Sequence, residues 1–438
     1  MTCLICHHDE TLLPRATTGN IPVLMYGAKP PRYDATSIGG QVYDEVKRLG
    51  VAVPQAAVDF LTISMAVTAA DTFVVRERAA QDGWARDIRL KVPVGDPARW
   101  HPALSVLEQA LRFLSGDNWG IELLGGGPAA PIPRVRGDLI RMDGHDCVCL
   151  FSGGLDSAIG AINLLADRER PLLVSHSYRG DKSRQEMIWG RLPVSLSRFL
   201  ANANPTCRAR RYATDVSMRT RSINFLAYGV VVASSFESLL VPRPVKLAVP
   251  ENGLIALNAP LTPRRIGSLS TRTTHPHYLD LIQKALDMVG LNVRIVNPYR
   301  HQTKGEMLRG CRDQATLRAI VDSTVSCGKW KRTGVQCGRC VPCLIRRASY
   351  HSAEIHDGTE YGSGDLAAVM ATEKHRDDLL ATAIASRKAM RATPEELRNW
   401  VSMSGPLPLD PLERDDHFAV FSRGMAEVHS YLNSWGLV

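Results

Sequence analysis

The 438-residue chain has too few cysteines for a disulfide scaffold, ten in all, and four of them crowd between Cys327 and Cys343. It has no internal repeat and no low-complexity run. With 45% apolar and 22% charged residues, it has the composition of folded domains rather than of a disordered or fibrous chain. The opening MTCLICHHDETLLPR lacks the basic and then apolar segments of a secretory signal. The one stretch that mimics a membrane span, Ile223 to Val241, contains Asn224, paired serines and Glu237. These are costly at membrane depth, so the stretch reads as a buried helix. The expected setting is the cytoplasm, where clustered thiols point to metal or chemistry. Lys and Arg outnumber Asp and Glu by 53 to 44, a net +9, which suits phosphate-bearing partners. No dense basic patch with interleaved aromatics marks a nucleic-acid footprint.

The length fits two or three domains. Residues 1–140 read as an accessory α/β unit: IPVLMYG, RDIRLKVPV and WGIELL as strands, with helical spacing in SIGGQVYDEVKRLG, PQAAVDFLTISMAVTAADTFVV and WHPALSVLEQALRFLSGD. GGGPAAPIPRVRG is the linker. From 141 to 325, the strand-like DCVCLF, PLLVSHSY, RARRYATD and VKLAVPE alternate with helix-like DSAIGAINLLADRER, EMIWGRLPVSLSRFLANA and a helix from about Ser222 to Leu240. That alternation predicts a doubly wound parallel sheet, hence an α/β fold. Residues 326–347 hold the cysteine cluster, and 348–438 read as a helical tail.

Ser152-Gly153-Gly154-Leu155-Asp156-Ser157 lies between the first strand and first helix of the central unit. A glycine turn at a strand's carboxyl end lets backbone N–H groups converge on an anion, and the following helix adds its positive end. Ser152 and Ser157 add hydroxyl donors, and Asp156 could hold Mg2+ or orient a hydroxyl. Neither G-x-x-x-x-G-K-[ST] nor G-x-G-x-x-G occurs at this turn.

Cys327-x9-Cys337-x2-Cys340-x2-Cys343 offers four thiolates with two tight C-x-x-C steps, suited to a closed tetrahedral zinc site. Three cysteines at two-residue gaps leave no clean redox pair. Such a site stabilises the segment carrying Arg346 and Arg347. Other signals are plainer. Cys3, Cys6, His7 and His8 suggest a frayed terminus or a partial zinc site. Cys147 and Cys149 alternate as core residues of a strand, and His275 and His277 flank Pro276 as turn residues.

SGGLDS resembles the PP-loop of the ATP pyrophosphatases, which cleave ATP between the α and β phosphates. A PP-loop followed by the cysteine cluster and Leu344-Ile345-Arg346-Arg347 resembles the 7-cyano-7-deazaguanine synthases, the QueC family of queuosine biosynthesis, over residues 146 to 347. Arg221-x-x-Asn224 and Thr303-Lys304-Gly305-Glu306 resemble that family's helix start and its T-K-x-E segment. Glu251-Asn252-Gly253 and Ser270-Thr271-Arg272-x-x-His275-Pro276 depart from it and resemble elements of other PP-loop enzymes, including tRNA 4-thiouridine synthases. The enlarged build is similar to the QatC component of the Qat anti-phage system.

The resemblance implies binding of ATP by Ser152, Gly153, Gly154, Leu155, Asp156 and Ser157, with Mg2+ and structural Zn2+. It implies attack of a 7-deazaguanine carboxylate on the α-phosphate, and then displacement of AMP by an amine, from ammonia or from a partner protein. Asp156, Lys304 and Arg272 are the implied catalytic residues, with Arg272 pairing with the carboxylate or a phosphate. Arg221, Asn224 and Glu251 are the implied substrate residues, Glu251 accepting from the guanine-like edge. The competing readings are a tRNA-modifying enzyme, thiolating (with Cys207 and Cys311 the only candidate persulfide carriers) or lysidine-forming, and a nucleotide-binding scaffold in a defence complex. The intact Ser152, Asp156 and Ser157 argue against the scaffold.

Overall fold

The computed structural model describes residues 2–80, 82–176, 180–208, 212–215, 219–239, 244–262 and 272–438. Eleven strands occur among them: β1 (Thr2–His7), β2 (Asn20–Gly27), β3 (Thr36–Gly39), β4 (Asp87–Pro93), β5 (Asn118–Leu124), β6 (Cys147–Leu150), β7 (Pro171–His176), β8 (Arg198–Ala201), β9 (Thr206–Cys207), β10 (Val245–Ala248) and β11 (Val293–Val296). They form two sheets, so the molecule is α/β with parallel sheets. One has the order β5-β4-β1-β2-β3-β9, parallel except for β9. The other, β11-β10-β6-β7-β8, is parallel throughout.

The second sheet places the site. From β6 the chain winds outward through β7 and β8, then returns to add β10 and β11 on the opposite side. The crevice beyond the carboxyl ends of β6 and β10 is therefore a topological switch point, where doubly wound sheets bind ligands.

The amino-terminal residues are a strand, not a frayed end. β1 is an interior strand between β2 and β4, with Leu4 opposite both Ile21 and Leu90. The two-residue period of a strand sends Cys3 and Cys6 to opposite faces, and Cys6 is buried in the core. These cysteines therefore cannot share a metal. In SIGGQVYDEVKRLG, the first four residues fall in or beside β3 and only Val42–Lys47 is helical. EMIWGRLPVSLSRFLANA also divides. Its helix, Lys182–Trp189, stops before Gly190, and Arg198–Ala201 forms the edge strand β8. No strand forms in the described part of RARRYATD; the short β9 precedes it. Residues 209–211 of that stretch, Leu240 and Ser270–Thr271 lie outside the described residues.

The helix Gln55–Phe73 is the one helix long and apolar enough to cross a membrane among the described residues, and it is wholly buried inside the protein. It packs against the helix Arg221–Ser235, and one continuous apolar core runs from Leu4 through Phe60 and Val231 to Leu247. Beside this contact lies a buried ion cluster. Arg86, fully buried, donates to Asp71 at 2.6 Å and to Asp117 at 2.7 Å, and Arg76 also pairs with Asp117. Asp71 in turn accepts from the Thr220 backbone N–H at 2.7 Å. The amino-terminal unit thereby fixes the residue just before the Arg221 helix.

The helices Val341–Ala353, Asp377–Arg391, Pro394–Ser402 and Pro411–Asn433 build a separate apolar cluster around Leu344, Trp400 and Phe421. It includes Leu254 and Leu257, so the tail packs directly on the segment after β10.

Candidate active site

Ser152–Gly154 follow β6 and lead directly into the helix Leu155–Ala166. Gly153 has φ +82°, and a Cβ there would meet Gln185 at 3.0 Å, so the turn requires glycine. The Ser152 hydroxyl accepts from the Gly154 N–H at 3.2 Å and lies 3.2 Å from the Ser157 hydroxyl. Gln185, fully buried, clamps the loop by donating to the Ser152 carbonyl at 3.2 Å and the His176 carbonyl at 3.0 Å. The Val325 N–H donates to the Gly153 carbonyl at 3.1 Å. Thus Leu155 packs in the core while the loop and helix start, including Asp156 and Ser157, line a cleft of about 740 Å³.

Three elements converge there. Asp156, buried in the first turn of its helix, receives the Asn252 backbone N–H at 3.0 Å and the Asn252 side-chain amide at 2.7 Å. It also receives the ammonium of Lys304, itself buried at the start of the helix Lys304–Arg309. Glu251 follows β10, lies beside Asp156 and accepts from the Asn252 side-chain amide at 3.1 Å. Burial alone would raise the Asp156 carboxyl. The Lys304 charge and the donated hydrogen bonds outweigh it and hold Asp156 well below the usual carboxylate range. Glu251 goes the other way. Burial, and then the Asp156 charge, push it well above the ordinary glutamate value. The pair thus divides into a carboxyl held low, Asp156 bound to Lys304, and one pushed high, Glu251. Asn252 was not singled out in the sequence as a site residue. Its signal was the Glu251-Asn252-Gly253 run, and it also caps the next short helix by accepting from the Ile255 N–H.

Thr303-Lys304-Gly305-Glu306 is a capping box: the Thr303 hydroxyl accepts from the Glu306 N–H, and the Glu306 carboxylate accepts from the Thr303 N–H. It orients Lys304 toward Asp156.

Arg221 and Asn224 line the far wall. Asn224 donates to the Thr68 hydroxyl at 2.6 Å, and its buried carbonyl oxygen has no partner among the described residues. Arg219, which sequence reasoning missed, also lines the cleft, held over the Trp84 ring at 4.2 Å. Arg272 lies elsewhere. It donates to the Phe113 carbonyl at 3.0 Å and stacks on that ring, while Thr273 and Thr274 face the cleft instead. The structure therefore does not bring Arg272 to Asp156 and Lys304. His275 is fully buried and caps its helix, accepting from the His277 N–H and lying 3.2 Å from the Ser404 hydroxyl.

Next to the loop, Cys327, Cys337, Cys340 and Cys343 are all buried, and their sulfurs lie within 4.8 Å of one another. The Cys327–Cys340 and Cys337–Cys343 sulfur pairs are 3.9 and 4.0 Å apart. Tetrahedral zinc with bonds of about 2.3 Å sets its sulfurs about 3.8 Å apart. Backbone N–H groups of Lys329, Cys337 and Cys340 point at these sulfurs at 3.3–3.4 Å, as around thiolate ligands. Gly338 has φ +76° and admits no side chain, because a Cβ would meet the Ser363 carbonyl at 2.3 Å. The cluster fits a zinc ion. Arg346 extends its reach, donating to the Thr324 hydroxyl at 2.7 Å and the Val321 carbonyl at 2.8 Å. That ties the Val341–Ala353 helix to the segment hydrogen-bonded to Gly153.

Residues 273–354, which include Lys304, the four cysteines and Arg346, match the family model described as queuosine biosynthesis protein QueC. The 7-cyano-7-deazaguanine synthase of Brucella canis is 27% identical over 234 residues, covering 94% of that protein and 50% of this chain. That of Brucella ovis is 27% identical over 240 residues with the same coverage. With a PP-loop fold at its centre and the QueC-matching segment carrying its lysine and cysteines, the chain is similar over half its length to the 7-cyano-7-deazaguanine synthases.

Proposed function

We propose that the protein is an ATP-dependent C–N ligase that adenylates a 7-deazaguanine carboxylate and passes it to an amine. The observation that carries this reading is the Lys304–Asp156 ion pair beside the Ser152–Ser157 loop at the switch point. ATP would place its phosphates on the Gly153 and Gly154 N–H groups and the Ser152 and Ser157 hydroxyls, at the positive end of the Leu155–Ala166 helix. Attack of the carboxylate on the α-phosphate gathers negative charge on phosphate oxygens and releases pyrophosphate, and Lys304, Arg219 and Arg221 are the cleft cations available to offset it. The amine then displaces AMP.

Asp156 would supply the carboxylate oxygen that Mg2+ takes, besides fixing the lysine. A protonated Glu251 donates a hydrogen bond, so it would meet an acceptor on the heterocycle, while the unpartnered Asn224 carbonyl oxygen would take an N–H donor. The cysteine cluster would bind structural zinc and hold the Val325 segment against the loop.

Thiolation of tRNA is disfavoured. Cys311 is packed in the core, where burial pushes its thiol up to about 11. Cys207 lies in β9, and neither cysteine lines the cleft. Ten free cysteines suit a reducing cytoplasm. The amino-terminal unit, which holds the cleft residue Asn224 through Thr68, and the helical tail, which lines the cleft with Phe421 and Met425, support a protein amine as acceptor in a defence complex. The test is mass spectrometry of a reaction with ATP and 7-carboxy-7-deazaguanine. AMP, pyrophosphate and a condensed product support the reading, and cleavage to ADP and phosphate overturns it.

A further inference from the structure

The loop after β11 meets the tail helix Pro411–Asn433. Glu413 and His417, one turn apart on that helix, face His301 on the loop, and their donor atoms lie within 4.8 Å of one another. His417 is buried, yet neither of its ring nitrogens has a hydrogen-bond partner among the described residues, nor does the buried Nε2 of His301. The two rings lie edge to face with centroids 4.6 Å apart. A buried imidazole with both nitrogens unsatisfied is costly for a structural residue, because each polar atom loses water and gains nothing.

We propose that His301, Glu413 and His417 form a second, weaker metal site for a zinc-class divalent cation, clamping the helical tail to the loop that leads into the Lys304 helix. The donor set is two imidazoles and one carboxylate, which zinc accepts with bonds of about 2.0–2.2 Å. Such bonds set donors about 3.3–3.5 Å apart, so rotation of these side chains closes the triad. The surroundings supply the outer shell. Asp416 lies 3.6 Å from His301 Nδ1, orienting the ring so that Nε2 remains for the metal. Arg300 holds one oxygen of Glu413 at 3.1 Å, leaving the other for coordination. Arg423, from the same tail helix, already donates to the His301 carbonyl at 2.8 Å, so helix and loop are in register without the cation. Lys304 follows His301 by three residues, which places the clamp next to the Asp156 ion pair. This site is independent of the ligase reading.

The test loads the full-length protein with excess zinc, removes free metal and measures bound zinc, with the cysteine cluster as internal reference. Wild type should hold about two equivalents and His417→Ala about one, both with the same circular dichroism. If His417→Ala does not fold, Glu413→Gln, at a half-exposed position, should weaken only the second equivalent, by at least ~10-fold in zinc affinity. Equal zinc content in wild type and His417→Ala, or unchanged affinity for both equivalents in Glu413→Gln, overturns the proposal.

Discussion

Lys304 and Asp156, 148 positions apart in the chain, form a buried ion pair at the carboxyl end of β6. Neither residue is stable there alone. A charge removed from water is tolerated only with its partner and the accompanying hydrogen bonds, which Asn252 supplies.

Breaking this pair should therefore be costly in two separable ways. Asp156→Asn and Lys304→Met should each destabilise the fold by about 3–5 kcal/mol, since each leaves a buried charge unpaired. The double variant should regain most of that stability in denaturant melts. Its AMP release should remain at least ~10²-fold below wild type, because the charge facing the phosphates is gone. A double variant as unstable as the singles would show that the ion pair is not what holds these residues.

Glu251 has its carboxyl pushed above the ordinary glutamate value by burial and by Asp156. A group raised in the folded state contributes its stability fully below its unfolded pKa and loses it as pH rises through the folded one. Wild type should thus lose stability, relative to Glu251→Gln, as pH is raised. Thermal melts of the two proteins across that range should diverge toward alkaline pH; parallel curves would contradict a protonated Glu251.

His275 behaves oppositely. Burial pushes it down to about 3 from its ordinary 6.5. Its contribution is present above pH 6.5 and is lost as pH falls toward 3, since only the unfolded chain takes up the proton. His275→Asn should flatten the acid side of the stability curve in this window, measured by urea unfolding at several pH values.

Cys340→Ser should remove about one equivalent of zinc and reduce soluble protein together, because metal-binding energy is folding energy. Chelation of the wild type should expose the Val325 segment to hydrogen exchange, since Arg346 and the cysteines anchor it. Soluble, zinc-free, active protein would rule out the structural role.

The sequence alone determined what depends on short-range spacing. The strand, glycine turn and helix around Ser152–Ser157 follow from local periodicity and the dihedral freedom of Gly153, and Cys337, Cys340 and Cys343 carry their ligand geometry in two-residue steps. Tertiary structure decided everything set by pairing over distance. β1 looked like a frayed end because six residues reveal nothing of the neighbours, β2 and β4, that bury it. β8 was hidden because a strand of four residues, three of them apolar, is too short to show a period of its own. Glu251 became the partner of Asp156 only because β10 inserts beside β6, and Arg272 turned to Phe113 because its segment packs on the amino-terminal unit. His301 and His417 could not be connected from sequence at all. Their meeting depends on where a tail helix docks, and that is fixed by the apolar face around Phe421 rather than by either histidine.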